Sequence, residues 1–257
     1  MVLTLEEKLK RVKDFRPIDD VFFEALAENK AVLEEILRTI LEDSQLVVID
    51  VITQHGERNI FGRSVRLDAL CTLGDGTKCN IEVQRSDNDD HLKRARFNAS
   101  SITVRESNTG DDFKDILELY IVYISEFDFL KENRTIYHID KVIRESGTIV
   151  DDGLHEIFVN TTIDDGSDIS DLMSCFTKKE VKNPKFPNLS AEVTRLKTTE
   201  GGASAVCAIM QEYEEKAVLD LLISLVKKGL LQIADAAKEA GITEDDFEAK
   251  MAQTTTQ

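Results

Sequence analysis

VRLDALCTLGDGTKCNIEVQ, residues 65–84, is the stretch that decides the expected fold. Apolar and polar residues alternate along both of its arms, which is typical of two β-strands with one buried face. In the first arm the apolar face is expected to carry Val65, Leu67, Ala69, Cys71 and Leu73, opposite Arg66, Asp68, Leu70 and Thr72. In the second arm the apolar face carries Cys79, Ile81 and Val83, opposite Asn80, Glu82 and Gln84. The GDG segment between the arms predicts a tight turn, and therefore an antiparallel hairpin.

The register of this hairpin depends on the length of its turn. A two-residue turn at Asp75–Gly76 pairs Asp68 with Val83, which sets a polar residue on the apolar face. A three-residue turn at Gly74–Gly76 pairs Asp68 with Glu82 and keeps the alternation, and its last glycine accepts left-handed backbone. Directly opposed Cβ atoms lie about 4.5–5.5 Å apart. The two carboxylates are therefore expected to be neighbours on one face of the sheet.

Two adjacent carboxylates repel each other, so something must offset their charge. Arg66 on the same face is one candidate, and water at an exposed face is another. A divalent cation is the strongest candidate, because Mg²⁺ binds one or two protein carboxylates together with waters and phosphate oxygens. The group of Asp68, Glu82 and, diagonally beside them, Gln84 thus has two interpretations: a metal-dependent site, or the solvated polar face of a half-exposed hairpin.

Outside the hairpin, hydrophobic periodicity predicts a mixture of helices and strands. The expected elements are a helix at 19–42, strands at 46–53, 63–73 and 78–85, a helix at 89–106, a strand at 117–126, and shorter strands at 135–143 and 155–161. The order of helix, three strands, helix and strand predicts an α/β fold with a mixed sheet flanked by helices.

Beyond Pro187 the pattern becomes helical, with helices expected at 204–228, 231–240 and 244–252. Gly229 and Gly241 are expected to end the first two, and Thr243 to cap the third. We therefore expect an α/β domain at 1–185 and a helical C-terminal extension at 186–257. The broad apolar face of the helix at 204–228 indicates either packing on its own sheet or a homodimer contact.

Composition limits the remaining classes of protein. Hydrophobic residues make up 42% of the 257 residues, enough for a packed core, and no apolar run is long enough to span a membrane. Residues 1–15 are charged and lack the apolar segment of a secretory signal, so we expect a cytoplasmic protein whose four cysteines are reduced. No phosphate-binding loop motif is present, and the histidines are scattered, which disfavours an ATPase and a catalytic histidine. The net charge of −17 restricts DNA binding to a local basic surface.

Four segments resemble motifs of a known family. DVFFEAL at 20–26 resembles an opening helix with an acidic residue, RLDAL at 66–70 and NIEVQ at 80–84 resemble two catalytic strands, and HLKRARFNAS at 91–100 resembles the following helix. Together with the element order they resemble the PD-(D/E)xK nucleases, and within that superfamily the Rpn-type recombination-promoting nucleases, also called PD-(D/E)xK family transposases. The resemblance covers about residues 16–165 and implies a restriction-endonuclease-like core.

The resemblance also implies roles for the site residues. Asp68 and Glu82 would bind a divalent cation, Mg²⁺ or Mn²⁺, with the backbone carbonyl of Val83 as a further ligand. Gln84 stands where the family signature has a lysine. A glutamine can orient water but carries no positive charge to stabilise developing negative charge.

Further implied contacts involve the first helix and the substrate. Asp20 is the acidic residue implied for the first helix, with the adjacent Asp19 as its alternative. Glu24 stands where the family usually has a lysine, so a phosphate contact at that position is in doubt. Arg94 and Arg66 are the candidates for binding a DNA phosphate or for facing the carboxylates.

The leading hypothesis is a Mg²⁺-dependent DNA endonuclease in which Asp68, Glu82, Gln84 and Asp20 form the catalytic group. The alternative is a nuclease-fold protein that is catalytically weak or inactive and acts through protein–protein contacts. Gln84, Glu24 and the acidic net charge favour that alternative. A third hypothesis is a nuclease that is inhibited by its own C-terminal helices.

Overall fold

The computed structural model describes residues 3–57, 65–110 and 112–254. The helices in these ranges are α1 (Leu5–Val12), α2 (Asp20–Ala27), α3 (Lys30–Ile40), α4 (His91–Glu106), α5 (Asp168–Phe176), α6 (Pro187–Thr198), α7 (Glu200–Lys227), α8 (Ile233–Glu239) and α9 (Glu244–Thr254). The strands are β1 (Val48–Glu57), β2 (Val65–Leu73), β3 (Lys78–Gln84), β4 (Leu119–Ser125), β5 (Ile136–Ile139), β6 (Lys141–Ile143), β7 (Thr148–Val150) and β8 (Leu154–Asn160). The predicted α/β class is confirmed.

Six strands form one mixed sheet in the order β1-β2-β3-β4-β8-β5. β1, β2 and β3 are antiparallel neighbours, β3, β4 and β8 run parallel, and β5 pairs antiparallel with β8. The parallel step from β3 to β4 is made through α4, because parallel neighbours need a long crossover connection. This confirms the predicted succession of helix, three strands, helix and strand.

The β2–β3 hairpin has the predicted turn and register. Ala69 pairs with Ile81, and Gly76 has a φ of +92°, in the left-handed region that favours glycine. In this register Asp68 stands across from Glu82. The turn length therefore predicted correctly that the two carboxylates are neighbours.

Helices pack on both faces of the sheet and build two cores. The main core lies against α2, α3, α5, α6 and the first half of α7, and its members include Phe22, Phe23, Leu37, Ile81, Val83, Val122, Phe176 and Leu196. The second core lies under α4, and its members include Leu70, Ala95, Ala99, Ile102, Ile121, Tyr123 and Phe158. Because Ile81 and Val83 face the main core, Glu82 between them faces α4.

Two expected elements are divided in the structure, each for a local reason. The helix expected at 19–42 is two helices, because the Asn29 side chain accepts a hydrogen bond from the Ala31 N–H and starts α3 anew. The strand expected at 135–143 is divided at Asp140, and β6 leaves the main sheet to pair with β7. Helix α5 and strand β7 had no counterpart in the prediction, and no bounds were predicted for helix α6.

The C-terminal helices contribute to two different cores. α6 and the first half of α7 supply Leu189, Val193, Leu196, Ala203, Val206 and Ile209 to the main core. The second half of α7 packs with α8 and α9 around a third core of Leu222, Ile223, Ala236, Ala237 and Phe247. The predicted helical extension is confirmed, whereas the division of the chain at residues 185 and 186 stays a prediction.

The ends of the last helices follow the predicted signals. Gly229 after α7 and Gly241 after α8 have φ values of +71° and +69°. Thr243 accepts a hydrogen bond from the Asp246 N–H at 3.1 Å and so caps α9. Within the described residues, no helix is both long and apolar enough to cross a membrane.

The cysteines are free thiols, as predicted. Cys71, Cys79 and Cys175 are buried, and Cys207 is half-buried. Burial raises the pKa of Cys71 to about 12, which keeps this thiol protonated and unreactive. The cysteines are therefore part of the packing rather than of a reactive site.

Candidate metal centre

Asp68 and Glu82 meet at the open end of the β2–β3 hairpin. The Val83 N–H donates a hydrogen bond to Oδ2 of Asp68 at 2.9 Å. The Asp68 N–H points in turn at Oε1 of Glu82, at 3.4 Å. The regular ladder between the two strands ends one residue earlier, at Ala69 and Ile81. Beyond it, each carboxylate accepts from the backbone of the opposite strand, which holds the two side chains next to each other.

Strand β2 departs from regular pairing with β3 at Asp68. Leu67 is buried under α4 in the same core as Leu70, although strict alternation predicts that it shares a face with Ala69 in the main core. The expected face of Leu67 was therefore wrong. The same departure from regular pairing aims the Asp68 N–H at a side chain instead of at a backbone carbonyl.

Glu82 is deeply buried beside a like charge. Its residue is only 5% exposed. Burial raises the pKa of Glu82 well above its ordinary value, and the neighbouring Asp68 carboxylate raises this pKa further. Hydrogen bonds from Asn80 and from the Asp68 N–H, and the charge of Arg94, act in the opposite direction. A cation bound between the carboxylates would remove the cause of the repulsion.

Asn80 orients the Glu82 carboxylate. Alternation places Asn80 on the Glu82 face, but it indicated no role for this residue. In the structure Asn80 is completely buried, and its Nδ2 donates to Oε1 of Glu82 at 2.9 Å. Among the described residues, the hydrogen bonds to Glu82 all engage Oε1. Oε2 is therefore the oxygen that Glu82 offers to a further ligand.

Arg94 stands in the first turn of α4, within electrostatic reach of the site. Its charge lowers the pKa of Glu82, and its Nη2 lies 3.2 Å from Oδ2 of Asp90. The Arg94 side chain is 33% exposed, so a solvent-borne anion can reach it. A contact between Arg94 and a substrate phosphate stays a prediction. The side chain of its rival, Arg66, lies outside the described residues.

Tyr123 and His91 join the site to the start of α4. Tyr123 pairs with Glu82 across the parallel strands β3 and β4. The Tyr123 hydroxyl lies 2.8 Å from Nδ1 of His91, and Nε2 of His91 lies 2.9 Å from Oδ1 of Asp87. Both ring nitrogens of His91 are thus engaged within the chain. This arrangement makes His91 a connection between β4 and α4.

Gln84 lies at the rim of the site, at the end of β3. It shares the Glu82 face by alternation, is half-buried, and donates from Nε2 to the Ser86 carbonyl at 3.0 Å. The Val83 N–H points towards Asp68, and because the N–H and C=O of one strand residue point to the same side, the Val83 carbonyl points there too. The catalytic role of Gln84 and the ligand role of Val83 stay predictions.

The two aspartates considered for the first helix have different surroundings. Asp20 is exposed in the first turn of α2, and its catalytic role stays a prediction. Asp19 is buried, and its Oδ1 lies 3.2 Å from Arg16 Nη2 and 2.9 Å from Arg85 Nη1. Both arginines also contact Glu126. This ion-pair network fastens the start of α2 to the ends of β3 and β4, and sequence spacing gave no sign of it.

The donor set at the open end of the hairpin fits a hard divalent cation. Asp68 and Glu82 supply carboxylate oxygens from adjacent strands, and the Val83 carbonyl points to the β2 side of β3. Oxygen atoms are the ligands that Mg²⁺ and Mn²⁺ accept. Two buried or half-buried carboxylates side by side are costly unless a positive charge compensates them. Arg94 supplies part of that compensation at Glu82, and a bound cation would add to it.

A second acidic group lies at the other end of the sheet. Ligand atoms of Glu118, Asp151 and His155 lie within 4.8 Å of one another, and His155 Nε2 is 3.2 Å from Glu118 Oε2. Glu118 and Asp151 are exposed. The group lies at the starts of β4 and β8, about 16 Å along the strands from Glu82 at 3.3 Å per residue. Glu118 is far from Asp151 and His155 in the sequence, so spacing did not reveal the group.

Comparison with known proteins adds one finding to this geometry. A family model described as PD-(D/E)XK nuclease family transposase matches residues 17–162, more than half of the chain. The matched range runs from the residues before α2 to the end of β8 and contains the whole hairpin and α4. Searches of curated proteins and of solved structures found no match.

Proposed function

We propose that this chain, which belongs to the PD-(D/E)XK nuclease family transposases, is a metal-dependent endonuclease that hydrolyses phosphodiester bonds of DNA. The observation that carries the proposal is the Asp68–Glu82 pair, in which a buried carboxylate is held in one orientation beside a second carboxylate. Cuts in DNA are the chemistry with which recombination and transposition begin, so the proposed activity agrees with the family description.

Each residue of the site has a separate proposed role. Asp68, Glu82 and the Val83 carbonyl would hold Mg²⁺ or Mn²⁺. When bound, such a cation polarises the phosphate and lowers the pKa of a water molecule. Asn80 fixes the direction of Glu82. Gln84 orients the attacking water through its side-chain amide, for which it must first exchange its hydrogen bond with the Ser86 carbonyl.

DNA contact must come from a local basic surface, because the whole chain carries a net charge of −17. Lys93 and Arg96 are exposed on α4, and Arg94, between them in the sequence, lies within electrostatic reach of Glu82. Arg85, at the end of β3, is half-exposed although it contacts Asp19. With few phosphate contacts, binding should be weak and should fall as salt increases, by about 0.9 logarithmic units per contact and per tenfold increase in salt.

Plasmid cleavage tests the proposal. Supercoiled plasmid is incubated with the purified chain in Mg²⁺, in Mn²⁺ and in EDTA, and the nicked and linear forms are measured on gels. We expect cutting with either metal, no cutting in EDTA, and a loss of cutting in Asp68→Asn and Glu82→Gln. Glu118→Gln and Asp151→Asn are matched controls, since they neutralise carboxylates of the second acidic group. An intact plasmid with the wild-type chain, or equal cutting by Asp68→Asn, contradicts the proposal.

The second candidate function is an interaction protein that keeps the nuclease fold without its activity. It is favoured by Gln84, which brings no positive charge and whose amide is bonded to Ser86. The variant Gln84→Lys separates the two functions. For an endonuclease we expect faster cutting, on the order of tenfold, because a cation stabilises developing negative charge better than an amide does. For an interaction protein, neither form cuts and neither binds Mn²⁺ at Glu82.

A further inference from the structure

Helix α7 is much longer than its packing against the main core requires. It runs from Glu200 to Lys227, 28 residues, or about 42 Å at 1.5 Å per residue. Its first half packs on the main core through Ala203, Val206 and Ile209, and its second half contributes to the third core with α8 and α9. Between these halves, residues 214–218 are exposed on every side of the helix. A large part of the α7 surface is therefore left uncovered by the residues that the structure describes.

An apolar stripe runs along this open surface. Val218 and Leu221 are 50% and 60% exposed, and Leu225 is half-buried. Their spacing of three and four residues places them on one face of the helix. The face that packs on α8 and α9 is a different one, formed by Leu219, Leu222, Ile223 and Val226. We call Val218, Leu221 and Leu225 the α7 stripe, and among the described residues none of the three belongs to a core.

Charges of opposite sign flank the two ends of the α7 stripe. Glu214 continues its spacing towards the start of the helix, and Lys228 continues it past the end. Their neighbours Glu215 and Lys227 repeat the same signs, and all four residues are exposed. Leu221 lies midway between Glu214 and Lys228 in the sequence. The stripe therefore has an acidic end, an apolar centre and a basic end.

We propose that the α7 stripe is the contact surface for a second copy of this chain, with the two α7 helices antiparallel and Leu221 at the twofold axis. In that arrangement Leu221 meets its own equivalent, and Val218 meets Leu225 of the partner subunit. Glu214 then faces Lys228 of the partner subunit, and by symmetry the same pair forms twice. A parallel pairing would set Glu214 against its own equivalent and Lys228 against its own, which is repulsive at both ends. Charge complementarity thus selects a second copy, and the antiparallel orientation.

The size of this contact sets its expected strength. The stripe with its charged ends spans about four turns of helix, so the contact falls below the range of about 1,200–2,000 Å² that stable interfaces bury. We therefore expect a weak dimer, detectable at high protein concentration. The proposal is independent of the nuclease activity, since no residue of the metal centre contributes to the stripe.

Sedimentation velocity of the full chain over a wide concentration range tests the proposal. We expect a monomer–dimer equilibrium that Leu221→Lys weakens by at least tenfold, because this substitution sets two like charges at the twofold axis. Val104→Lys is a matched control, since Val104 is an exposed apolar residue of α4 and is 77% exposed. Both positions are exposed, so both variants should keep the wild-type circular dichroism spectrum.

Charge reversal tests the antiparallel orientation. Glu214→Lys alone and Lys228→Glu alone should each weaken self-association, because each sets like charges against each other. The double variant Glu214→Lys with Lys228→Glu should regain the wild-type dimerisation constant. A mixture of the two single variants should form a heterodimer, since every facing pair is then of opposite sign. A monomer at all concentrations, or a dimer that is indifferent to Leu221→Lys, overturns the proposal, and a dimer indifferent to charge reversal overturns the antiparallel pairing.

Discussion

The two ends of the sheet carry acidic groups in opposite environments. At the C-terminal end of β3, Glu82 is buried beside Asp68, and an asparagine fixes its direction. At the N-terminal ends of β4 and β8, ligand atoms of Glu118, Asp151 and His155 lie within 4.8 Å of one another, but both carboxylates are exposed. Charges interact strongly where water is excluded and weakly where water and salt screen them. Proximity of acidic groups is therefore a poor sign of function, whereas burial together with a fixed orientation is a good one.

The largest expected difference between the two ends is in metal affinity. Asp68→Ala and Glu82→Ala should each weaken Mn²⁺ binding by more than about a hundredfold, beyond the 10–100-fold typical of groups that only support a ligand. Asp151→Ala and His155→Ala should leave that affinity unchanged. Isothermal titration calorimetry of all four variants gives the comparison. If Asp151→Ala loses Mn²⁺ affinity and Asp68→Ala does not, the metal binds at the other end of the sheet, and the assignment of the metal centre is contradicted.

A smaller effect is expected from the residue that orients Glu82. Asn80→Ala removes the hydrogen bond to Oε1, so Mn²⁺ affinity should fall by about 10–100-fold while binding remains measurable. Asn29→Ala is the control, because it removes a capping asparagine from α3, far from the site in the sequence, and should lower stability without changing affinity. Equal Mn²⁺ affinity in Asn80→Ala and the wild-type chain would show that Asn80 has no part in the site.

The same burial predicts that the site destabilises the metal-free protein. Glu82→Gln keeps the shape of the side chain and removes the buried charge, so it should raise the free energy of unfolding in EDTA on the order of 1 kcal/mol, or about 2–4 °C in melting temperature. A carboxyl group whose pKa is raised on folding binds more protons in the folded state. Its contribution to stability is therefore lost as pH rises from the unfolded pKa, about 4.3, through the folded pKa. The advantage of Glu82→Gln over the wild-type chain should accordingly grow as pH rises over this window.

Thermal melts at pH 4 and pH 7 in EDTA measure this advantage. An unchanged difference between the two pH values would indicate that Glu82 does not carry the buried charge inferred for it. Excess Mn²⁺ should remove or reverse the difference, because the wild-type chain gains stability from binding and the variant does not.

The smallest effect is expected at the exposed end. Glu118→Gln breaks an ion contact with His155 whose carboxylate side is 58% exposed, so stability should change by less than about 0.5 kcal/mol. The same melts provide the measurement. If Glu118→Gln changed the stability as much as Glu82→Gln does, solvent exposure would not explain the difference between the two acidic groups.

The part of the site that follows from sequence is the part set by strand periodicity and by the turn. The glycines of Gly74–Gly76 fix the turn length, and the alternation of NIEVQ fixes the face, so the Asp68–Glu82 pairing could be predicted. Alternation could not predict the reversed face of Leu67, because the regular β2–β3 ladder ends at Ala69 and Ile81. The Asp68–Glu82 pairing and the face of Leu67 both depend on contacts within one hairpin. Only the pairing follows from regular alternation, which is visible in the sequence.

Contacts between distant segments were beyond prediction for a different reason. Asp19 contacts Arg85, and the Tyr123 hydroxyl contacts His91, through side chains that only the packed fold brings together. The division of the expected helix at Asn29 was missed for a local reason, since apolar periodicity continues on both sides of the cap. In each case the prediction lacked the three-dimensional position of a polar side chain, which hydrophobic periodicity does not give.

The most direct test is a crystal structure of the chain soaked with Mn²⁺, with anomalous scattering used to locate the ion. The predicted result is a peak at the open end of the β2–β3 hairpin, within coordination distance of carboxylate oxygens of both Asp68 and Glu82 and next to the Val83 carbonyl. A peak at Glu118, Asp151 and His155 alone, or no peak at the hairpin under saturating Mn²⁺, would contradict the assignment of the metal centre.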